Sequence, residues 1–186
     1  VPHLVYAAKN RSRPFDLSDI EVIGEQIEDV ARYHEYDFKY SETEDGIMPV
    51  PMAKQGLKGL YYQKFDLSMC TYCSGINGLM LSAIRFAWKG NPWDKVEILT
   101  GKSMKPTAGM KKTILMGKCI YQAQKENPDI QEMIPVKGCP PKPQDMLNAL
   151  HKAGIDADPG LFENIDKMPG LFMSRFEGKS EYDEGF

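Results

Sequence analysis

Cys70-Thr-Tyr-Cys73, Gly117-Lys-Cys119 and Gly138-Cys139-Pro-Pro contain every cysteine of the chain. Four thiolates with none to spare match the ligand count of one metal site, either an iron–sulfur cluster or a structural zinc. Structural zinc held by four cysteines often uses two C-x-x-C knuckles, and here only Cys70 and Cys73 have that spacing. Cys119 and Cys139 are single and far apart in sequence. A cluster is larger than one ion, and its iron corners are reachable from separate loops. Gly117 and Gly138 let backbone amides approach sulfur, and a proline after a cluster cysteine, as in Cys139-Pro140, occurs in ferredoxin motifs. The spacing therefore favours a 4Fe-4S cluster, with zinc as the alternative. Three other chemistries stay open: two disulfides, a thioredoxin-like redox pair at Cys70 and Cys73, and plain buried cysteines at 119 and 139. The redox pair leaves Cys119 and Cys139 unexplained, and the chain is long enough to build a core without disulfides.

The elements that position these cysteines follow from periodicity. After Cys73, Ser74 is a suitable cap for a helix to about Trp88, with Ile76, Leu79, Met80, Ala83, Ile84 and Ala87 at helical spacing. Lys95–Gly101 and Lys112–Gly117 read as strands, and Cys119 then starts a helix through about Glu126, stopped by Asn127-Pro128. Ile130–Val136 is a third strand ending at Gly138-Cys139. Pro143 suits the first turn of an amphipathic helix, Gln144–Lys152, closed by Gly154. Alternation of strand and helix predicts an α/β fold, a parallel sheet with flanking helices and right-handed crossovers. Sites in such sheets form outside the carboxyl ends of the strands. Cys119 and Cys139 fall at that edge, and Cys70 and Cys73 precede a helix that can face it.

The first 59 residues are less ordered by pattern. They read as an extended basic stretch (Lys9, Arg11, Arg13), a short strand at Ile20, Val22 and Ile23, and a helical turn or irregular arm over Glu25–Tyr33. A loop or linker follows at 41–59, rich in Gly, Pro and Met. The domain division is thus an N-terminal arm and linker (1–59) packing on an α/β domain (60–186). That domain ends in an irregular tail anchored by Leu161, Phe162, Leu171, Phe172 and Phe176.

The 186 residues are 42% hydrophobic, enough for one sizeable core. A net charge of −3 lacks the basic excess of a nucleic-acid binder. The longest apolar run, Ile76–Trp88, is too short to span a bilayer and contains Arg85. No basic-then-apolar leader opens the chain, so a cytoplasmic location with no membrane partner is expected. The chain begins at Val1 rather than Met, as a fragment or processed product does, which leaves a preceding targeting segment open.

Several separated motifs resemble the C-terminal part of the domain-of-unknown-function 362 family. They are Asp19-Ile-Glu-Val-Ile-Gly24 with Ile27-Glu-Asp-Val30, Cys70-x-x-Cys73, Val96–Gly101, Ile114-Leu-Met-Gly-Lys-Cys119 and Val136-Lys-Gly-Cys-Pro-Pro-Lys-Pro143. The match covers roughly residues 15–152 in the right order. It implies an iron–sulfur protein of unsettled activity. The C-x-x-C-x-x-C-x-x-x-C-P run that many members carry is absent, as is the N-terminal part of longer members. The site is also similar to the proximal 4Fe-4S site of the nickel–iron hydrogenase small subunit, and its Gly-Cys-Pro-Pro to the related complex I small subunit. That likeness implies a flavodoxin-like domain, single-electron transfer, and Cys70, Cys73, Cys119 and Cys139 as ligands, although the spacings here are shorter.

Electron transfer to a redox partner protein or domain is the leading functional expectation, and a homo-oligomer is compatible with it. The alternative is a structural or regulatory module, ordered by a cluster or zinc, within a larger protein. An enzyme working at an open iron corner is disfavoured, because full cysteine ligation leaves none. Lys118 and Lys137 neighbour ligands and would raise a cluster's potential, or are solvated strand-end lysines. Tyr72 would shield the cluster or simply pack. His3, His34 and His151 read as structural or solvated, with His151 at a helix C-terminus. No G-x-G-x-x-G, P-loop or nucleophile-elbow motif occurs. The 11 Met residues read as core filler.

Overall fold

Pro2 sets the first turn of a helix, α1 (Pro2–Asn10), where the sequence reading expects an extended stretch. Proline is pre-organised for a first helical position, Ala7 and Ala8 favour the helix, and Lys9 lies in its last turn, where a cation suits the dipole. A single turn, α2 (Ile27–Val30), carries Glu28 and Asp29 at its N-terminal end. Ile20 and Val22 of the expected early strand lie outside the described residues, and Ile23 is 87% exposed and in no strand. The computed structural model describes residues 2–12, 23–32, 40–43, 46–63, 66, 68–167, 174 and 177–178. The chain divides into two compact units, 1–38 and 39–186.

Residues 41–59, a linker by composition, instead open the core of the second unit. β1 (Tyr40–Thr43) pairs antiparallel with β2 (Gly46–Pro49), and α3 (Val50–Lys54) follows directly. The prolines there close a strand and start a helix: Pro49 is the N-cap and Pro51 lies in the first turn. Met48, Met52 and Leu57 are buried, the methionines filling core space as unbranched side chains do.

From residue 60 the order is β3 (Leu60–Tyr62), α4 (Thr71–Ala87), β4 (Val96–Leu99), β5 (Lys112–Met116), α5 (Lys118–Gln124), β6 (Glu132–Val136), α6 (Pro143–Ala153) and α7 (Pro159–Glu163). β3 is a strand that local pattern did not predict. The four strands form one parallel sheet in the order β3-β4-β5-β6. Tyr62, Ile98, Ile114 and Ile134 stand in register on one face, in a core shared with Leu79, Met80, Ala83 and Ile84 of α4 and Met146 and Leu150 of α6. Leu99 and Leu115 point the other way and pack with Met104 and Ile120 of α5. The expected α/β architecture, a parallel sheet with helices on its faces in a flavodoxin-like arrangement, is present. One detail departs from expectation. β3–α4–β4 and β5–α5–β6 both step to the next strand in the same direction, yet their helices lie on opposite faces. The two crossovers therefore have opposite hands, and only one obeys the right-handed rule.

Three details bear on stability. Glu132 N donates to Lys111 O, so alternation turns Pro135, which has no N–H, toward the outer edge of β6, where proline blocks further strand pairing. In the tail, Phe162 is buried and Leu161 packs on the core, while Leu171, Phe172 and Phe176 lie outside the described residues. Among the described residues no helix is long and apolar enough to cross a membrane.

Glu97 is fully buried on β4. Thr113 Oγ1 donates to its Oε1 (2.7 Å) and Thr107 N to its Oε2 (2.9 Å), pinning the β4–β5 loop to the sheet. Burial raises its pKa above the ordinary 4.5, outweighing the bonds from Thr113 and Thr107. The folded state then holds this proton more tightly than the unfolded chain. Its stabilising contribution is complete below the ordinary glutamate pKa and is lost as pH rises through the raised one. Urea unfolding across that window should show a fall in stability with rising pH that is smaller in Glu97→Gln; equal slopes would exclude Glu97 as its source.

Candidate metal centre

All four strands point the same way, so the loops after β3, β4, β5 and β6 meet at one edge. Gly117 follows β5 with φ +112°, a conformation that side chains disfavour, and caps α5, which puts Cys119 in the first turn. Gly117 N donates to Val136 O (2.8 Å) and Lys118 N to Gly138 O (3.0 Å). These bonds carry the β5–β6 ladder past the strand ends and tie the two cysteine loops together. At Gly138 a Cβ would lie 2.7 Å from Pro140 O and 3.0 Å from Pro141 Cα, so only glycine fits before Cys139. At Gly117 a Cβ would lie 3.6 Å from Pro141 Cγ and 3.7 Å from Cys73 Sγ. The Cys73 sulfur is thus seated against the β5 loop that leads to Cys119.

Cys70 and Cys73 reach this edge by a different register from that expected. α4 begins at Thr71, with Cys70 in the N-cap position (φ −87°, ψ 170°) and Ser74 N donating to Cys70 O (3.0 Å). Ser74, the preferred cap type, is inside the helix. Cys70 makes no side-chain cap hydrogen bond of ordinary geometry. The backbone amides of Cys73 and Tyr72 nevertheless hold its thiol below the ordinary value, as expected at a helix N-terminus. The Cys73 thiol is pushed up to about 11, first by burial, then by the charge and contact of Cys70 and the charges of Cys119 and Cys139. The other three sulfurs therefore lie within electrostatic reach of Cys73. Cys70, Cys119 and Cys139 are exposed and Cys73 is half-buried. Among the described residues, no group of three or more His, Cys, Asp or Glu side chains is placed to hold a metal ion.

The segment before Cys70 is anchored by a network that sequence reasoning missed. The Asp66 carboxylate accepts from Ser68 N (2.7 Å), Ser103 Oγ (2.8 Å), Met104 N (3.1 Å) and Ser103 N (3.2 Å). Lys102 N donates to Ser68 Oγ (2.7 Å), and Thr100 Oγ1 to Met69 Sδ (3.3 Å). Burial opposes ionisation of Asp66, but the bonds from Ser68 and Ser103 prevail and hold its carboxyl below the ordinary range. The loop after β3 is thereby fastened to the loop after β4. The signal in the sequence was weak: an Asp-x-Ser turn and a Thr-Gly-Lys-Ser run after a strand.

The flanking residues are placed as follows. Lys118 is exposed, Lys137 Nζ lies 4.8 Å from the centre of the Tyr121 ring, and Tyr72 is 64% exposed. His151 Nε2 donates to Ala157 O (2.8 Å), a structural role at the end of α6. His3 is on α1, and His34 lies outside the described residues. No protein-family model, curated protein or solved structure matches the chain.

Proposed function

We propose that the chain holds one 4Fe-4S cluster through Cys70, Cys73, Cys119 and Cys139 and passes single electrons to a partner protein or domain. The observation that carries this reading is the seating of Cys73 Sγ against Gly117, in a loop already bonded to the loop of Cys139. The donor set fits such a group: four thiolates, a helix N-terminus behind Cys70 and Cys73, and a glycine that leaves room beside a sulfur. Zinc fits less well. Structural zinc held by four cysteines often uses two C-x-x-C knuckles, and only Cys70 and Cys73 have that spacing. A four-iron cluster is larger, and its corners can be reached from separate loops. The same motifs support membership of the domain-of-unknown-function 362 family.

When bound, the cluster supplies one-electron redox chemistry. The chain's own residues tune it through the α4 amides around Cys70, the neighbouring lysines and the exposure of the edge. A thiol–disulfide role has one observation in its favour, the exposed, acidified Cys70 in contact with Cys73, but it leaves Cys119 and Cys139 without a task.

Protein purified without air should carry about four iron and four acid-labile sulfide per chain and be reducible by one electron. Colourless protein containing one zinc would end the electron-transfer reading. An iron–sulfur centre that cannot be reduced would leave the structural module.

A further inference from the structure

We infer that the cysteine-bearing edge is a docking surface for an acidic electron-carrier protein, an inference that rests on the electron-transfer reading above. Lys102, Lys118, Lys137 and Lys142 are exposed, Lys102, Lys137 and Lys142 on the loops after β4 and β6 and Lys118 at the start of α5 after β5. Among the described residues, ion pairs link Lys89 to Asp156 (2.7 Å), Lys111 to Asp94 (2.7 Å) and Lys125 to Glu126 (3.4 Å), and none takes up those four lysines. The acids on the same loops do not balance them. Among the described residues, Asp66 on the loop after β3 and Asp145 in the first turn of α6 set two negative charges against these four positive ones. A chain of net charge −3 thus gathers, among its described residues, lysines without ion pairs on the edge where its cysteines surface.

Two apolar side chains are also exposed beside the cysteines. Tyr72, 64% exposed, stands between Cys70 and Cys73, and Pro140 is exposed beside Cys139. Exposed apolar side chains beside exposed charged ones match the composition of a transient protein interface. Such lysines steer an acidic partner into place and chiefly affect its rate of arrival.

The test uses two redox proteins of opposite charge, an acidic plant-type 2Fe-2S ferredoxin and basic cytochrome c. Iron and sulfide are measured first on the parent and on the Lys102→Glu/Lys142→Glu double variant, neither of whose changes adjoins a cysteine. One electron then passes from reduced ferredoxin to the chain, followed by stopped flow at about 0.01 M ionic strength, where charges act over about 30 Å. The expected result is a second-order rate lowered on the order of tenfold or more by the double reversal, and similarly by added salt, with the opposite trend for cytochrome c. Equal rates for parent and variant overturn the docking surface while leaving electron transfer intact. So does a shifted midpoint potential with an unchanged rate. If the parent carries no iron or sulfide, the electron-transfer reading fails by itself. Anisotropy of labelled ferredoxin then tests docking directly, and absence of salt-sensitive binding, or tighter binding of a DNA duplex, overturns it.

Discussion

If the proposed cluster is present, replacing Cys73 by serine should leave protein purified without air with less than about one iron per chain and without visible charge-transfer absorption. Of the four proposed ligands Cys73 should show the largest effect, because it is the half-buried sulfur that touches Cys70, rests against Gly117 and senses both Cys119 and Cys139. Serine keeps the shape but offers a hard, un-ionised oxygen in place of a soft thiolate. The core lies elsewhere, so metal-free Cys73→Ser should unfold within about 1 kcal/mol of the metal-free parent. Cys70→Ser is the instructive companion. Serine is a preferred N-cap, so this change should stabilise the metal-free protein by about 0.5–1 kcal/mol while still lowering its iron. Unchanged iron and sulfide in Cys73→Ser would refute the assignment of this residue as a ligand.

Gly138→Ala is expected to have the next largest effect. The added Cβ would meet Pro140 O at 2.7 Å, Pro141 Cα at 3.0 Å and Lys142 N at 3.4 Å, all of them backbone atoms with no side-chain rotamer to relieve the clash. The Cys139 loop must shift, at a cost of about 1–3 kcal/mol. Because Lys118 N is bonded to Gly138 O, the shift also disturbs the approach to Cys119. Iron content should therefore fall more than stability alone explains. Gly154→Ala provides the control. Gly154 ends α6 with φ +90° and has nothing within 4 Å of a Cβ. Its substitution should cost about 1–2 kcal/mol of left-handed strain and leave iron content unchanged. If the two variants lose stability and iron in parallel, the loop geometry at Gly138 has no special part in holding Cys139.

Much of the α/β unit was legible because its signals are local. The apolar positions of α4, from Leu79 to Ala87, are buried as their spacing predicts, and Gly154 closes α6 where expected. β4, β5 and β6 appear with slightly trimmed ends. Shorter elements escaped notice. β3 and the β1–β2 hairpin have three or four residues per strand, too few for a period to show, and they exist because tertiary burial of residues such as Met48 and Leu60 holds them. The start of α4 was misplaced because Cys70 is not a customary cap, and α1 was missed because its basic residues suggested an arm. The Asp66 network joins residues more than thirty positions apart, a distance over which sequence carries no periodic trace.

By itself the sequence determined the chemistry on offer: four soft sulfur donors with none spare, two of them in a helix-start pair and two behind strand-ending glycines. It also determined that a parallel sheet would carry them. Only the tertiary structure decided that the four lie along one edge of the sheet. Cys119 and Cys139 follow neighbouring, mutually bonded loops because β5 and β6 are adjacent and in register, and hydrogen bonds from Gly117 and Lys118 continue their ladder past the strand ends. Cys73 joins them because α4 begins at this edge and lodges its sulfur against Gly117. Strand order and loop closure are long-range outcomes of packing, and with another order the same four residues would have lain at separate points of the sheet.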